Sequence, residues 1–307
     1  MGASVSIYPQ YSDDGKIAPM KFVTYNIQYS LGKDGHFDLA RIAQAVDGAD
    51  IIALQEVDRF MPRTDGTDQP ARLAELLPGY FWVYGPPIDL HGSERTVDGR
   101  QIQRRRQYGN MLFSRWPILS SRLHLLPKFR TFSRSGGQRG ALEGVIETIS
   151  GPLRVYSMHL SALSAEERLA QLDYLLPRLL ELPREGGLCT GPTLGPYEET
   201  PMPESCVVMG DCNFTPRSRE YTRVVGEEDY YYGRTPLGHH LVDSWTQSGH
   251  DQDEGATWYD PDEKKSPPLR LDYCFVSPDL ADGVKTARID DDAAGSDHQP
   301  YWFELEL

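Results

Sequence analysis

Eight polar residues of the types that ligate metals or move protons flank or enter apolar, strand-like segments of the sequence. In chain order they are Asn26, Glu56, His159, Asp211, Asn213, Asp272, Asp297 and His298. Side chains at strand ends lie at the rim of a sheet, where binding and catalytic sites are commonly built. Each residue alone has an ordinary explanation, because an Asp after a strand usually serves as a turn residue or a helix cap. Taken together, they indicate a functional site.

These residue types favour metal-assisted hydrolysis of a phosphate ester. Asparagine and carboxylate oxygens suit a hard divalent cation such as Mg²⁺ or Mn²⁺. Two histidines and the remaining carboxylates could then act as a base, the partner that orients it, and an acid for the leaving group. Water would attack phosphorus while the metal offsets the developing charge.

The elements that must position these residues alternate between strands and helices. Strands are predicted at 21–28, 51–54, 110–114, 141–149, 153–160, 206–210, 269–277 and 300–307. Helices are predicted at 37–47, 71–77 and 221–225, and a further helix begins at a capping box at Ser164, with Pro177 expected to kink or end it. The polar stretches 182–205 and 246–268 are predicted as loops. Helices inserted between strands without a regular βαβ period predict mixed sheets with helices outside. We expect an N-terminal extension over 1–20 and one domain over 21–307.

The charge of the chain is unevenly distributed. The 307 residues include 31 Lys and Arg against 45 Asp and Glu, for a net charge of −14. Segment 95–139 contains eleven Lys and Arg and a single acid, Asp98, so it carries +10. The acidic total disfavours non-specific nucleic-acid binding, whereas the basic segment could receive an anionic substrate. Arg104, Arg105 and Arg106 beside Tyr108 would suit backbone contacts with base stacking, or they could pair with surface acids.

Two further features of the sequence bear on the cellular location of the protein. The sequence has no apolar run of the roughly 18 residues that a membrane span needs, and its start does not resemble a signal peptide. The four cysteines, Cys189, Cys206, Cys212 and Cys274, form no CxxC motif, which predicts free thiols rather than a zinc or redox site. A cytoplasmic location is therefore expected.

Seven motifs together resemble a known family. They are TYNIQ (24–28), LQEVD (54–58), GNMLFSRWPI (109–118), VYSMHL (155–160), GDCNFTP (210–216), RLDYCF (270–275) and GSDHQP (295–300). In this order they resemble the endonuclease/exonuclease/phosphatase superfamily, which is DNase I-like, and in particular its bacterial metal-dependent hydrolases. The resemblance extends from about residue 20 to residue 307.

The resemblance implies a fold, a cofactor and residue roles. The implied fold is an α/β, four-layer αββα sandwich of two mostly antiparallel sheets with outer helices, and the implied cofactor is Mg²⁺ or Mn²⁺. Glu56 would be the main metal ligand, with Asn26 and Asp297 in the same cluster. Asp272 would orient His298 as a base or phosphate-positioning group, and Asp211 would position or deprotonate the attacking water. Asn213 would donate to a phosphoryl oxygen, and His159 would contact the phosphate or assist the leaving group. Asn110 and, from the basic segment, Arg104, Arg105 and Arg106 are further candidates for substrate contact.

Three functions remain open at this stage. The first is a phosphodiesterase acting on a small or lipid-derived diester, and the second is a DNA or RNA nuclease of the same superfamily. The third is a non-catalytic binding module that kept the fold. RLDYCF stands where the family's 5-phosphatases carry a WCDR-type motif, which disfavours that branch. The sequence indicates no protein partner.

Overall fold

Two six-stranded sheets dominate the computed structural model, which describes residues 18–192, 198–261 and 266–307. The strands are β1 (Met20–Asn26), β2 (Ile51–Arg59), β3 (Phe81–His91), β4 (Glu94–Arg95), β5 (Gln101–Ile102), β6 (Arg105–Ser114), β7 (Ile118–Leu125), β8 (Gly140–Thr148), β9 (Gly151–His159), β10 (Cys206–Asp211), β11 (Glu228–Asp229), β12 (Gly233–Arg234), β13 (Val242–Asp243), β14 (Asp272–Val276), β15 (Val284–Ile289) and β16 (Tyr301–Leu305). The α-helices are α1 (Leu39–Ala45), α2 (Gln69–Leu76), α3 (Ala165–Glu185), α4 (Arg219–Val225) and α5 (Ser244–Gln247).

Each large sheet contains one parallel strand pair among antiparallel neighbours. The first sheet has the order β15-β16-β1-β2-β6-β3, and β1 runs parallel to β2. The second has the order β13-β14-β10-β9-β8-β7, and β9 runs parallel to β10. The carboxyl ends of the strands in a parallel pair meet at one edge of the sheet, so each sheet brings two strand ends together.

The apolar runs of the central strands arise because both faces of each sheet are covered. In β1, Phe22 packs between the two sheets, whereas Val23 packs toward α1 and α2. Ile51 and Ile52 divide in the same way in β2. A strand buried on both faces is expected to be almost continuously apolar. The second sheet packs its outer face against α3 and α4, so the predicted four-layer sandwich is confirmed.

Every strand and helix predicted from the sequence is present, but one helix end was predicted wrongly. Helix α3 begins after its Ser164 cap as expected, then continues through Pro177 and Pro183 to Glu185, into the stretch predicted as a loop. Proline in a helix interior removes a hydrogen bond and usually breaks the helix. Here the apolar side chains on both sides of Pro177, including Leu176 and Leu179, are buried against the second sheet, and this packing maintains the helix.

Four further sequence predictions concern the N-terminus, the domain boundary, the cysteines and membrane spans. Residues 1–17 of the proposed N-terminal extension lie outside the described residues, and the single-domain boundary stays a prediction. The four cysteines are free thiols, and three of them are buried. None of the helices in the described ranges combines the length and the apolar character needed to cross a membrane.

Candidate active site

The two parallel strand pairs deliver the central polar side chains. Asn26 ends β1, while His159 and Asp211 end β9 and β10 directly opposite each other in register. Asp272, the first residue of β14, pairs with Asp211 on the other side. The sandwich places these ends together, since Asn26 Nδ2 of the first sheet donates to Asp211 Oδ2 of the second across 2.9 Å.

Gly210 is required by the close approach of β9 and β10 just before the site. Its φ is +148°, and a Cβ at this position would lie 1.8 Å from the carbonyl oxygen of Met158. Any side chain would therefore separate the two strands at the point where they present His159 and Asp211. The glycine of the GDxN motif thus has a packing role.

Glu56 projects from an irregularity in β2. The pairing of β2 with β6 shifts between Leu54 and Val57, and Glu56 has a left-handed φ of 61°. A bulge of this kind re-aims a side chain, and left-handed backbone at a non-glycine residue is uncommon outside functional sites. The side chain is 20% exposed, and its Oε1 lies 4.0 Å from His159 Nε2.

Asp211 is the most heavily hydrogen-bonded carboxylate of the site. Its Oδ2 accepts from Asn26 Nδ2 and from Asn213 Nδ2 at 3.1 Å, and it lies 3.3 Å from His159 Nε2. The backbone N–H of Asn213 donates to Oδ1 at 2.9 Å. Burial acts to raise the pKa of Asp211, but the His159 hydrogen bond and the charge of His298 hold it well below its usual range. Asp211 is therefore a fixed anion.

His298 is held by one nitrogen and faces the site with the other. Its Nδ1 lies 2.7 Å from Asp272 Oδ2, while its Nε2 lies 3.9 Å from Asp211 Oδ2 and 3.4 Å from Asn26 Nδ2. Burial acts to lower the pKa of His298, but the carboxylates of Asp272 and Asp211 outweigh it and raise the pKa to about 10. The ring is thus a cation between two carboxylates.

Asp297 supplies a further carboxylate beside these groups. Its Oδ2 accepts from Trp258 Nε1 at 3.1 Å, and its Oδ1 lies 3.3 Å from Ser296 Oγ. Burial raises the pKa of Asp297, the charge of His298 opposes this, and the negative charge of Glu56 adds to it. Two carboxylates that repel each other in this way suit a divalent cation, whose charge would relieve the repulsion.

Two sets of side chains could hold a metal ion. The ligand atoms of Asp211, Asp272 and His298 lie within 4.8 Å of one another. Ligation by this set would compete with the bond between His298 and Asp272. The set predicted from the sequence, Asn26, Glu56 and Asp297, offers oxygen atoms alone. Because Mg²⁺ and Mn²⁺ prefer oxygen ligands, the second set fits these ions better.

The four residues predicted to contact substrate make their own contacts outside the cluster of central carboxylates. Arg105 pairs with Asp89 at 2.8 Å, Arg104 lies 3.8 Å from Glu94, and Arg106 donates to the carbonyl oxygen of His91. These contacts lie within the arm formed by β3 to β6 and not among the central carboxylates. Both amide hydrogens of Asn110 point inward, toward the carbonyl oxygens of Gly140 and Ser157.

Buried polar contacts fasten the two sheets to each other beneath the site. Gln55 Nε2 donates to Ser157 Oγ at 3.0 Å, and Ser157 Oγ donates to the carbonyl oxygen of Leu54 at 2.9 Å. Asn110, on β6, donates to the Ser157 carbonyl oxygen on β9 at 2.7 Å. Apolar packing alone does not fix how two sheets slide, whereas a shift here would leave buried polar groups without partners.

Sequence reasoning missed two side chains that border the site, Arg139 and Arg63. Arg139 Nη1 lies 2.8 Å from Nε2 and 2.9 Å from Nδ1 of His159. The Tyr108 ring lies 6.5 Å from the His159 ring, and Arg63 lies over the rings of Tyr29 and Tyr108 at 3.9 and 5.1 Å. Tyr108 was already considered for base stacking. Arg139 lies in the basic segment 95–139, but no pattern distinguished it from its ten basic neighbours.

Comparison with known proteins assigns the class. Residues 23–298 match the Endonuclease/Exonuclease/phosphatase family, and the chain belongs to this family. Membership supports a phosphoester hydrolase, the general activity predicted from the motifs.

Solved structures share the fold at low sequence identity. An endonuclease/exonuclease/phosphatase from Beutenbergia cavernae has a TM-score of 0.62 at 23% identity, over 94% of this chain and 72% of that chain. A mannosyl-6-phosphatase from Bacteroides thetaiotaomicron has a TM-score of 0.62 at 18% identity, over 94% and 100%. The TDP2 protein of D. rerio, complexed with a single-strand DNA product, has a TM-score of 0.57 at 18% identity, over 94% and 99%.

Proposed function

We propose that this protein is a divalent-metal-dependent phosphodiesterase that directs water onto phosphorus. The observation that carries the proposal is the arrangement around Asp211. This carboxylate is fixed by Asn26 and Asn213 and faces a histidine, His298, which Asp272 orients. A fixed anion opposite an oriented cation is suited to bind water and a phosphoryl group side by side.

The roles of the individual residues follow from their contacts. Asp211 would accept a hydrogen bond from the attacking water, orient it toward phosphorus and accept its proton. His298, cationic between Asp272 and Asp211, would donate from Nε2 to a phosphoryl oxygen. Asn213 Nδ2 donates to Asp211 Oδ2 and to the carbonyl oxygen of Leu160, so it would exchange one of these partners for the phosphoryl oxygen. His159 would contact the phosphate on the opposite side of Asp211.

Asn26, Glu56 and Asp297 would hold the divalent ion, Mg²⁺ or Mn²⁺. Bound there, the ion would neutralise charge that develops on the phosphoryl oxygens. The left-handed backbone of Glu56 supports this role, because the bulge turns its carboxylate toward Asp297 and His159.

A cavity beside Asp297 favours a small diester. It has a volume of about 760 Å³, and its wall includes Gln28, Lys33 and Tyr259 together with Asp297. Pockets of 300–1,000 Å³ typically hold drug-sized molecules. One substituent of a small or lipid-derived diester would fit there while the phosphate reached the site.

One observation favours a nuclease as the second candidate. Cations and aromatic rings contact one another near the end of β2, since Arg63 lies over Tyr29 and Tyr108, and Arg104 lies 4.9 Å from the ring of Phe60, which follows β2. Such a combination suits a single strand, whose bases stack on rings while its phosphates meet cations.

The main test compares hydrolysis of bis(4-nitrophenyl) phosphate with that of 4-nitrophenyl phosphate. Each is assayed with Mg²⁺, with Mn²⁺ and with chelator, and His298→Ala is the matched control. We expect turnover of the diester that requires both the metal and His298. Preference for the monoester would move the protein to the phosphatases. Metal binding without turnover of either ester or of nucleic acid would favour the binding module.

The nuclease alternative is tested by replacing Arg104, Arg105 and Arg106 with Gln together. Since these arginines form contacts within their own arm, we expect little change in KM for the small diester. A rise in KM for a single-stranded oligonucleotide, with weaker dependence on salt, would instead indicate that the arm binds nucleic acid. Loss of surface ion pairs should cost no more than about 1 kcal/mol of stability per pair.

A further inference from the structure

Arg139 is brought into the site by the connection between β7 and β8. Its carbonyl oxygen accepts from the backbone N–H of Leu126, which fixes the chain just before β8 begins at Gly140. From there the guanidinium reaches across to His159, with Nη1 within 2.9 Å of both ring nitrogens. His159 in turn lies 3.3 Å from Asp211. Arg139 therefore lies one side chain away from the central carboxylate.

Arg139 differs from Arg63, Arg104 and Arg105 in its partners. Arg63, Arg104 and Arg105 each have a carboxylate within ion-pair distance. Within the described ranges, no carboxylate lies within 4.0 Å of the Arg139 guanidinium, and its side chain hydrogen-bonds to His159 alone. A partly buried guanidinium has five N–H donors in a planar fork, and a contact made by Nη1 leaves donors for a second ligand.

The position of Arg139 gives Asp211 a cation on each side. His298 lies on one side of Asp211, at 3.9 Å, and Arg139 lies on the other, behind His159. A phosphoryl group placed against Asp211 and its water would then have His298 on one side and His159, with Arg139 behind it, on the other. Arginine suits this task, since its fork matches two oxygens of a phosphate and it stays charged at any working pH.

We propose that Arg139 is a catalytic residue that binds a phosphoryl oxygen of the substrate. The inference rests on the proposed phosphoester hydrolysis and adds to it the cation opposite His298. No bond to Arg139 forms or breaks in the reaction. The guanidinium stabilises the negative charge that builds up on the oxygen atoms as water adds to phosphorus.

The test uses Arg139→Gln and Arg139→Lys, with Arg134→Gln as the matched control. Arg134 lies in the same connection, is exposed and loses the same charge on substitution. Two quantities are measured: the Kd for inorganic phosphate in the presence of Mg²⁺, by calorimetry, and kcat and KM for bis(4-nitrophenyl) phosphate. For Arg139→Gln we expect phosphate binding to weaken about tenfold or more. The kcat/KM should fall by roughly 10²–10³-fold.

Arg139→Lys should recover little of the phosphate affinity or of kcat/KM, because lysine lacks the planar fork of the guanidinium. Free guanidinium ion should restore turnover to Arg139→Ala but not to His298→Ala. If Arg139→Gln matches Arg134→Gln in both phosphate Kd and kcat/KM, the inference is wrong. A loss of kcat with unchanged phosphate Kd would also overturn it, since Arg139 would then merely hold His159.

The phosphate titration separates this inference from the proposed function. If the wild-type protein turns over no phosphoester, the proposed function fails, but a phosphate site that depends on Arg139 would remain measurable. If the wild-type protein binds no phosphate, the role of Arg139 is refuted, whatever the turnover.

Discussion

Two buried histidine–carboxylate pairs in this molecule have almost the same geometry. In the site, His298 Nδ1 lies 2.7 Å from Asp272, and at the edge of the second sheet His124 Nε2 lies 2.9 Å from Glu143. All four side chains are at most 7% exposed. The first pair belongs to the proposed catalytic machinery, and the second lies between β7 and β8, at a distance from the strand ends that form the site.

The surroundings distinguish the two pairs. The Glu143 Oε2 atom also accepts from the Tyr156 hydroxyl at 2.8 Å. Burial acts to raise the pKa of Glu143, but the hydrogen bonds from His124 and Tyr156 outweigh it and lower the pKa. At Asp272 the balance is reversed: burial raises its pKa despite the charge of His298, and Asp211 adds like-charge repulsion.

Polar atoms without partners around Asp272 and His298 indicate a functional site more clearly than the histidine–carboxylate pair itself. Asp272 Oδ1 is buried without a hydrogen-bond partner among the residues that the structure describes, and His298 Nε2 faces a second carboxylate. Crowded carboxylates at strand ends, with shifted pKa values and unmatched polar atoms, are typical of functional sites. A closed network such as that of Glu143 indicates a stabilising role.

The largest expected difference between the two pairs is in turnover. His298→Ala should lower kcat for bis(4-nitrophenyl) phosphate by roughly 10²–10⁴-fold, since it removes the group that we propose donates to a phosphoryl oxygen. His124→Ala should keep nearly the wild-type kcat per folded molecule, while losing about 3 kcal/mol of stability because Glu143 stays buried without its partner. Kinetics and urea unfolding on both variants check this. Similar losses of kcat would remove the distinction.

A second difference should appear in the response to metal. Glu56→Gln should raise the Mg²⁺ concentration needed for half-maximal activity by about tenfold to a hundredfold, as ligand-sphere changes typically do. Glu143→Gln makes the same chemical change in the edge pair and should leave the Mg²⁺ requirement unchanged. Titration of activity with Mg²⁺ separates the two variants. An unchanged requirement in Glu56→Gln would sink its assignment as a ligand.

The smallest expected effect concerns stability and pH at the edge pair. Because the pKa of Glu143 is depressed on folding, the ionised group stabilises the protein above its ordinary pKa of 4.5, and this is lost as the pH falls through the folded value. Glu143→Gln should therefore be less stable by about 1–3 kcal/mol near pH 7. The difference in unfolding free energy between the wild type and Glu143→Gln should decrease below about pH 4.5. Urea unfolding at several pH values measures it, and a constant gap would contradict the ionic role.

Local patterns predicted which candidate residues lie at strand ends, but they missed what edge strands and connections contribute. Asn26, His159 and Asp211 end apolar strands, so composition alone placed them at a sheet rim. Strand β3 was missed because Pro86 and Pro87 interrupt it, and proline is tolerated there only because β3 lies at the edge of its sheet.

Arg139 was missed for a related reason. Its position depends on the connection between β7 and β8, and β7 is an edge strand with exposed residues such as Leu119 and Leu125, which weakens its apolar signal. Which of eleven basic residues reaches His159 is decided by that connection and not by any property of the arginine itself. Likewise, helix α3 passes Pro177 because of packing against the second sheet, which composition along the helix does not reveal.

The polar contacts between the sheets change the meaning of the sequence motifs. Gln55, Asn110 and Ser157 belong to the motifs LQEVD, GNMLFSRWPI and VYSMHL. In this structure their hydrogen bonds align one sheet on the other. A chain could therefore keep much of these motifs after losing its chemistry, because the alignment of its halves would still require them. The residues to which we assign the proposed activity are instead Glu56, His159, Asp211 and His298.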